Sequence, residues 1–291
     1  MAFNRAILRT YAQLSEPARL APSIYFTHTE STVTIFDAYP KAVFHLLVLP
    51  RIKDKEGPLS AANLTSLKKF LNSNQTNRKD ATELLRRLKE DGEKVREMIK
   101  EEMRDRYGFV WKVHLGFHAV QSMDHIHLHV ISEDLCAPGL KTKKHYNSFH
   151  PKLGFFLHIN DVLSWFDEGN AESYMRSPKM ARLDEASYEK KLKEPLECFH
   201  CAKEFKNMPV LKIHLQEHFD KLAEQGKTAE VDGKRRRNAE TEENSKIDPD
   251  LKQEIEPAKR KSLASDSAFE KTSSQTNNAD SDAPRKKQKS T

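Results

Sequence analysis

Ser122-Met123-Asp124-His125-Ile126-His127-Leu128-His129-Val130-Ile131-Ser132, SMDHIHLHVIS, sets a histidine at every second position between apolar residues. In a strand, successive side chains point to opposite faces, so His125, His127 and His129 share one face and Ile126, Leu128 and Val130 the other. The apolar trio is expected in a core and the histidine face along a surface or cleft. Three uses of the row compete. It is chance enrichment, which His114 and His118 on the preceding run disfavour. It is a metal site, where H-x-H gives two imidazoles but a catalytic ion needs a third ligand and a supporting carboxylate, with Asp124 the only acid close in sequence. Or it is a nucleophilic site, in which a neutral imidazole attacks phosphorus while an acceptor fixes its tautomer.

The rest of the chain narrows the class. Of 291 residues 37% are apolar, enough for a real core, and the net charge is +6. From Gly226 onward Lys, Glu, Ser, Asn and Asp dominate, so 226–291 is expected to be a disordered basic and polar tail. Its runs at Lys234 to Arg237, Lys259 to Lys261 and Arg285 to Lys289 have the composition of nuclear-import or polyanion-binding patches. A second basic stretch, Gly139 to Lys152, holds Lys141, Lys143, Lys144 and Lys152 without an acid. Each run taken alone reads as solvated surface. With three cysteines, two of them in a C-x-x-C pair, the chain has no disulfide framework and suits a reducing compartment. Met1 to Leu20 lacks a signal-peptide core and no later run suits a membrane span, so a soluble intracellular protein with no membrane partner is expected.

Phe3, Ile7 and Tyr11 recur at helical spacing, closed by Pro17 and Pro22. Strands are predicted at Ser23 to Thr27, Thr32 to Asp37, Phe44 to Leu49 (stopped by Pro50), Val110 to Ala119 and His125 to Ser132. A long amphipathic helix is predicted over Ala81 to Arg106, with Leu84, Leu88, Val95, Met98, Ile99 and Met103 on one stripe. Strands, an inserted helix and strands again predict an α+β domain with a mostly antiparallel sheet.

Cys198-x2-Cys201-x3-Phe205-x5-Leu211-x2-His214-x3-His218 has the ligand spacing and apolar core positions of a ββα finger, so these two cysteines and two histidines are expected to hold one structural Zn2+. On the finger helix, Asn207, Val210 and Ile213 occupy the positions that usually read bases. Valine and isoleucine cannot make bidentate contacts to base edges, which predicts backbone or end binding without sequence readout, with docking on the catalytic domain as the alternative.

H-I-H-L-H-V-I resembles the motif of the histidine-triad nucleotide hydrolases and transferases at every position. That resemblance implies a covalent nucleotidyl intermediate on His127 and no metal for the chemistry. DAYPKAVFHLLVLP (Asp37 to Pro50), GFHAVQSMDHIHLHVIS (Gly116 to Ser132) and LKTKKHYNSF (Leu140 to Phe149), followed by the finger, are similar to the aprataxin family over about Ala2 to Phe219. What the resemblance implies is a histidine-triad catalytic domain (1–170), a linker helix with a single finger (171–225) and the tail, acting on 5′-adenylated DNA ends left by abortive ligation and releasing AMP.

By the same resemblance, His129 and the Ser122 hydroxyl, beside Met123, hold phosphate oxygens. His125 supports the row, and His118 protonates the departing phosphate and later assists water. Asp37 accepts the ribose hydroxyls, Lys41 faces the DNA-side phosphate, and His45 joins the supporting network. Lys141, Lys143 and Lys144 contact phosphates, while His145 and Tyr146, where the family often has Trp, shape the pocket wall. Phe3 stacks on an exposed base pair or packs its helix to the core. Some aprataxins carry an N-terminal forkhead-associated domain; here the catalytic domain begins almost at Met1, and the basic tail is expected to engage DNA or import receptors instead. A nuclear monomer is expected. The alternatives are a small-molecule triad hydrolase for nucleoside phosphoramidates or dinucleotides, and a nucleic-acid adaptor with an inactive triad domain.

Overall fold

The computed structural model describes residues 4–166 and 183–245. Phe3 and residues 246–291 of the expected tail lie outside them. A short helix α1 (Ile7–Ala12) leads to strands β1 (Tyr25–His28), β2 (Thr32–Phe36) and β3 (His45–Pro50). Then come the small helix α2 (Leu67–Leu71), the long α3 (Arg78–Tyr107), β4 (Val113–His118) and β5 (Leu128–Ser132). Helix α4 (Lys143–Phe149), β6 (Phe156–His158) and α5 (Ile159–Ser164) complete this part. Six strands make one antiparallel sheet in the order β1-β2-β3-β5-β4-β6. The α+β reading with an antiparallel sheet stands.

Helix α3 begins three residues before the predicted start because Asn77 and Asp80 form a reciprocal capping box, and it ends at Gly108, whose φ of 74° suits the left-handed cap. Leu84, Leu88, Val95, Ile99 and Met103 are buried, while Met98 is 46% exposed and falls off the stripe. The stripe packs on Leu46, Val48, Leu115, Phe117, Leu128 and Val130, one face of the sheet. Burying so many aliphatic side chains, each worth about 1.5–3 kcal/mol, fixes the helix to that face.

Leu128 and Val130 therefore lie in the core as expected, but the histidine strand is shorter than predicted. β5 starts at Leu128, so His125 and His127 precede it. His125 has φ 104°; its N–H donates to Thr65 O at 2.9 Å and its ring pairs with Pro50 O at 2.7 Å. Such a backbone conformation costs a non-glycine residue about 1–3 kcal/mol, and these bonds hold it in place. Nor is the histidine face left open: His125, His127 and His129 are all buried.

After residue 182 the chain forms α6 (Glu185–Lys191), a two-strand ribbon β7 (Leu196–Glu197) and β8 (Glu204–Phe205), and helix α7 (Met208–Ser245). This is the expected ββα finger. It belongs to the same compact unit as the sheet, Met1–Val231, and a second unit spans Asp232–Thr291. Of the expected tail, 226–245 is described and continues α7 to Ser245, with Gly226 facing the Phe109 side chain. The reason lies in composition, since Lys, Arg, Ala and Glu propagate a helix already nucleated by the finger. Among the described residues no helix is long and apolar enough to cross a membrane.

Candidate active site

Antiparallel register places His129 opposite Leu47 and Gly116, so the face of the sheet away from α3 carries His129, His45 and His118 together. Helix α4 covers it. The Phe149 ring lies 4.5 Å from His118 and 5.1 Å from both His45 and His129, between ring centroids.

The hydrogen bonds order the protons of this row. The backbone N–H of Lys41 donates to His45 Nδ1 at 3.3 Å, so neutral His45 carries its proton on Nε2 and donates it to His129 Nδ1, 3.0 Å away. His129 then carries its own proton on Nε2, a buried donor with no partner among the described residues. His127 Nδ1 donates to His125 O at 2.8 Å, which leaves the lone pair on Nε2. His118 Nε2 is likewise buried and unpartnered among the described residues. A lone pair beside an orphaned N–H donor, in a buried setting, suits attack on an electrophile that carries anionic oxygens.

Asp37 Oδ2 lies 3.6 Å from His45 Nε2, and Asp37, His45 and His129 offer ligand atoms within 4.8 Å of one another. The third ligand that a metal reading requires is thus supplied by Asp37 and not by Asp124, which pairs with Arg5 and Arg9. Proton order opposes that reading, because metal at His45 Nε2 would force the proton onto Nδ1, against the Lys41 N–H.

Electrostatics keep the histidines neutral. Burial pushes His45 and His125 down to about 4, opposed by Asp37 at His45 and by the Pro50 carbonyl at His125. Burial also lowers His127, against the His125 carbonyl and Asp37, and it lowers His118 and His129 further, helped by neighbouring imidazoles and Lys41. Asp37 would be raised by burial, but His45, the Tyr39 N–H, Lys41 and His127 together hold it below the ordinary range.

On unfolding, each histidine regains a pKa near 6.5, so between there and about 4 the unfolded chain binds more protons than the folded one at His45 and His125. Their contribution to stability is complete above pH 6.5 and is lost as pH falls toward 4, by up to about 1.4 kcal/mol per pH unit for each. A melting temperature measured by calorimetry from pH 8 to 4 is therefore expected to stay level and then drop below pH 6.5. A flat profile down to pH 4.5 would contradict the buried neutral row.

The loop between β2 and β3 carries Lys41, whose ammonium reaches Tyr39 O and whose charge is felt at His118, His129 and His145. It is braced by Asp134, a buried carboxylate that accepts Val43 N–H at 2.9 Å, Cys136 N–H at 3.2 Å and the Trp111 indole N–H at 3.0 Å. Against it lies Gly139: a Cβ there would sit 2.2 Å from Pro40 O and 2.9 Å from Tyr39 O, both backbone atoms. Gly139→Ala is expected to displace the Asp37 to Lys41 loop at a cost of about 1–3 kcal/mol. Titration calorimetry with AMP should then show clearly weaker binding, whereas unchanged affinity would mean that the loop plays no part in nucleotide binding.

Ser122 is exposed on the loop before the row, and Met123 packs with Val33, Ile35 and Leu47. The Lys141 to Phe149 stretch is mostly helix and not loop, because Thr142 caps α4 by accepting the His145 N–H. Lys141, Lys143 and Lys144 are exposed at its start and His145 is half-buried. Tyr146 does not line the pocket: it is fully buried, its hydroxyl donates to Glu197 O at 2.7 Å and its ring stacks on Phe199. It ties α4 to the finger. Sequence reasoning missed Phe149, Asp134, Gly139 and Gln121, whose roles depend on contacts distant in sequence.

In the finger, Cys198, Cys201, His214 and His218 bring their ligand atoms within 4.8 Å of one another, with Cys201 Sγ 3.2 Å and His218 Nε2 3.1 Å from His214 Nε2. These separations are near the ~3.3 Å expected between ligands on a tetrahedral Zn2+. Phe205 stacks near His214, Leu211 is fully buried, and Val210 and Ile213 are exposed. Asn207 Oδ1 caps α7 by accepting the Val210 N–H.

Fold and site together define a histidine-triad protein with an appended Cys2His2 finger. Residues 7–145 match the family described as scavenger mRNA decapping enzyme C-term binding, and residues 152–221 match the C2HE / C2H2 / C2HC zinc-binding finger. An aprataxin-like protein of Saccharomyces cerevisiae is 31% identical over 228 residues, covering 74% of this chain and 96% of that one. The chain belongs to the aprataxin family. Aprataxin of Danio rerio is 34% identical over 68% of this chain and 50% of its own length, and that of Gallus gallus 34% over 69% and 52%, so the chain spans about half of these relatives. The fold also matches the crystal structure of the aprataxin ortholog Hnt3 in complex with DNA, with a TM-score of 0.54 and 23% identity over 77% of this chain and 98% of that one.

Proposed function

We propose that the chain is a DNA-repair hydrolase that removes AMP from 5′-adenylated DNA ends left by abortive ligation, through a covalent adenylate on His127. The observation that carries this reading is the proton order of the row. The His125 carbonyl holds the His127 proton on Nδ1, and His129 presents an Nε2–H unpaired among the described residues. His127 Nε2 attacks the α-phosphorus; a P–N bond forms as the P–O bond to the 5′-phosphate breaks. That leaving group departs as an anion, its second pKa being about 6, so it needs little of the protonation that the resemblance assigns to His118, and His118 keeps only the later role toward water. His129 and Ser122 bind the non-bridging oxygens, Lys41 and the α4 lysines the departing DNA phosphate, and Asp37 the ribose hydroxyls. In the second step His118 takes a proton from water as its oxygen attacks phosphorus, the P–N bond breaks and AMP leaves. The finger, holding one Zn2+, grips DNA backbone or an end; Val210 and Ile213 on its exposed face offer no bidentate base contacts. Relatedness to the aprataxins and the basic runs of the tail support DNA ends as substrate and the nucleus as location.

The test is a nicked duplex bearing a 5′-adenylate, incubated with the protein in parallel with a free dinucleotide. AMP release from the nick at a higher kcat/KM supports the reading. Faster cleavage of the dinucleotide would make the chain a small-molecule hydrolase, and no cleavage of either would leave a binding module.

A further inference from the structure

The nucleophile's geometry depends on a carbonyl in a strained segment, and one side chain braces that segment. Gln121, half-buried in the loop before the histidine row, points its amide nitrogen at three carbonyl oxygens: Met123 O at 2.6 Å, Thr65 O at 2.8 Å and His125 O at 3.0 Å. Its amide oxygen accepts the Leu67 N–H at 3.4 Å. The orientation is unambiguous, since carbonyls surround the nitrogen and an N–H meets the oxygen. Two of these contacts bear on catalysis. The His125 carbonyl is the acceptor for His127 Nδ1–H, and Thr65 O also receives the N–H of His125, the residue at φ 104°.

We propose that Gln121 is the positioning residue of the nucleophile: its amide fixes the His125 carbonyl in the orientation that keeps the His127 proton on Nδ1 and the lone pair on Nε2. The inference rests on the reading of His127 as the attacking group. With the amide gone, the carbonyls of Met123 and His125 lose their shared donor and the peptide that aims at His127 is free to rotate. Part of the His127 population then carries its proton on Nε2, the nitrogen that must attack. Ser122 and Met123 lie inside the same braced turn, so the phosphate-facing loop loosens with it.

Gln121→Met keeps length and bulk without the hydrogen bonds, and Gln121→Glu keeps shape but sets an oxygen against the carbonyls. Both are expected to lower kcat for AMP release from adenylated nicked DNA by about 10- to 100-fold, the scale of a small misplacement of a reacting group, with KM changed less than about twofold. In 15N-histidine-labelled protein without substrate, the His127 imidazole is expected as the Nδ1–H tautomer in the wild type and as a tautomer mixture in Gln121→Met. If Gln121→Met matches wild-type kcat, or loses activity only in step with its folded fraction while the tautomer is unchanged, the proposal is overturned. The tautomer measurement needs no substrate, so a tautomer shifted by Gln121→Met, together with a wild type that itself releases no AMP, would sink the adenylate reading and leave the positioning role intact.

Discussion

Replacing His127 by alanine or asparagine is expected to abolish AMP release, with a loss of about 10⁴-fold or more, the scale seen when a covalent nucleophile is removed. The size follows from the arrangement of the row. No other lone pair there is equivalent: His45 Nδ1 is engaged with the Lys41 N–H and His129 Nδ1 with the His45 Nε2–H, while His125, its ring turned to Pro50, donates its Nε2 proton to Pro50 O and keeps its lone pair on a buried Nδ1. His118 Nε2 is unpartnered among the described residues, and the proposed reaction assigns it to water in the second step. His127 is buried, but asparagine keeps a polar N–H near its Nδ1 and its neighbours Ile126 and Leu128 keep their places, so the asparagine variant should fold and still bind AMP. Rapid quenching with adenylate-labelled DNA should trap label on the wild-type protein, bound through an acid-labile, hydroxylamine-sensitive P–N bond, and none on the variant. Equal release by the variant would end the covalent mechanism.

Loss of zinc is the second large effect. Cys201 is exposed, so Cys201→Ala removes a ligand and almost no packing, unlike the buried Cys198. Zinc binding supplies about 10–16 kcal/mol to isolated finger peptides, and here it ties the ribbon to helix α7. The apolar face that the finger organises, Leu196, Phe199, Met208, Leu211 and Leu215, packs with Ala42, Ile131, Leu140, Tyr146 and Phe149. Without metal that face opens, Tyr146 loses Glu197 O, and the α4 side that holds Phe149 over the histidines loses its support. Even a few kcal/mol of lost stability should lower the melting temperature by about 10 °C, at about 2–4 °C per kcal/mol for a unit of this size. Scanning calorimetry together with metal analysis checks this; a variant that lacks zinc but melts like the wild type would show that the finger and the sheet are independent.

The sheet, the long helix and the finger were legible because each leaves a periodic mark: alternation around Leu128 and Val130, a stripe from Leu84 to Met103, and the C-x-x-C and H-x3-H spacings. Their edges were less legible. The Asn77 and Asp80 box, the early helix at Arg78 and the late start of β5 are local hydrogen-bond choices that apolar periodicity does not report. Spacing alone leaves the three histidines equivalent and the resemblance makes His125 a support of the row, but a positive φ at His125 turns its ring to Pro50 and makes its carbonyl, not its imidazole, the group that serves His127. Tyr146 read as pocket wall through the family resemblance; on α4 its hydroxyl instead reaches Glu197 O of the finger, while Phe149 on the same helix meets the histidine row.

What the sequence by itself determined is which chemistry was on offer: imidazoles in a row between core residues, and a separate set of thiols and imidazoles at zinc spacing. These are properties of neighbouring residues, and spacing along the chain is enough to express them. Which histidine holds which proton was decided only by the tertiary structure, because the deciding partners, the Lys41 N–H, Pro50 O and the Gln121 amide bracing His125, come from other elements. A tautomer is set by what lies within hydrogen-bonding distance of each ring nitrogen, and folding alone brings those groups together.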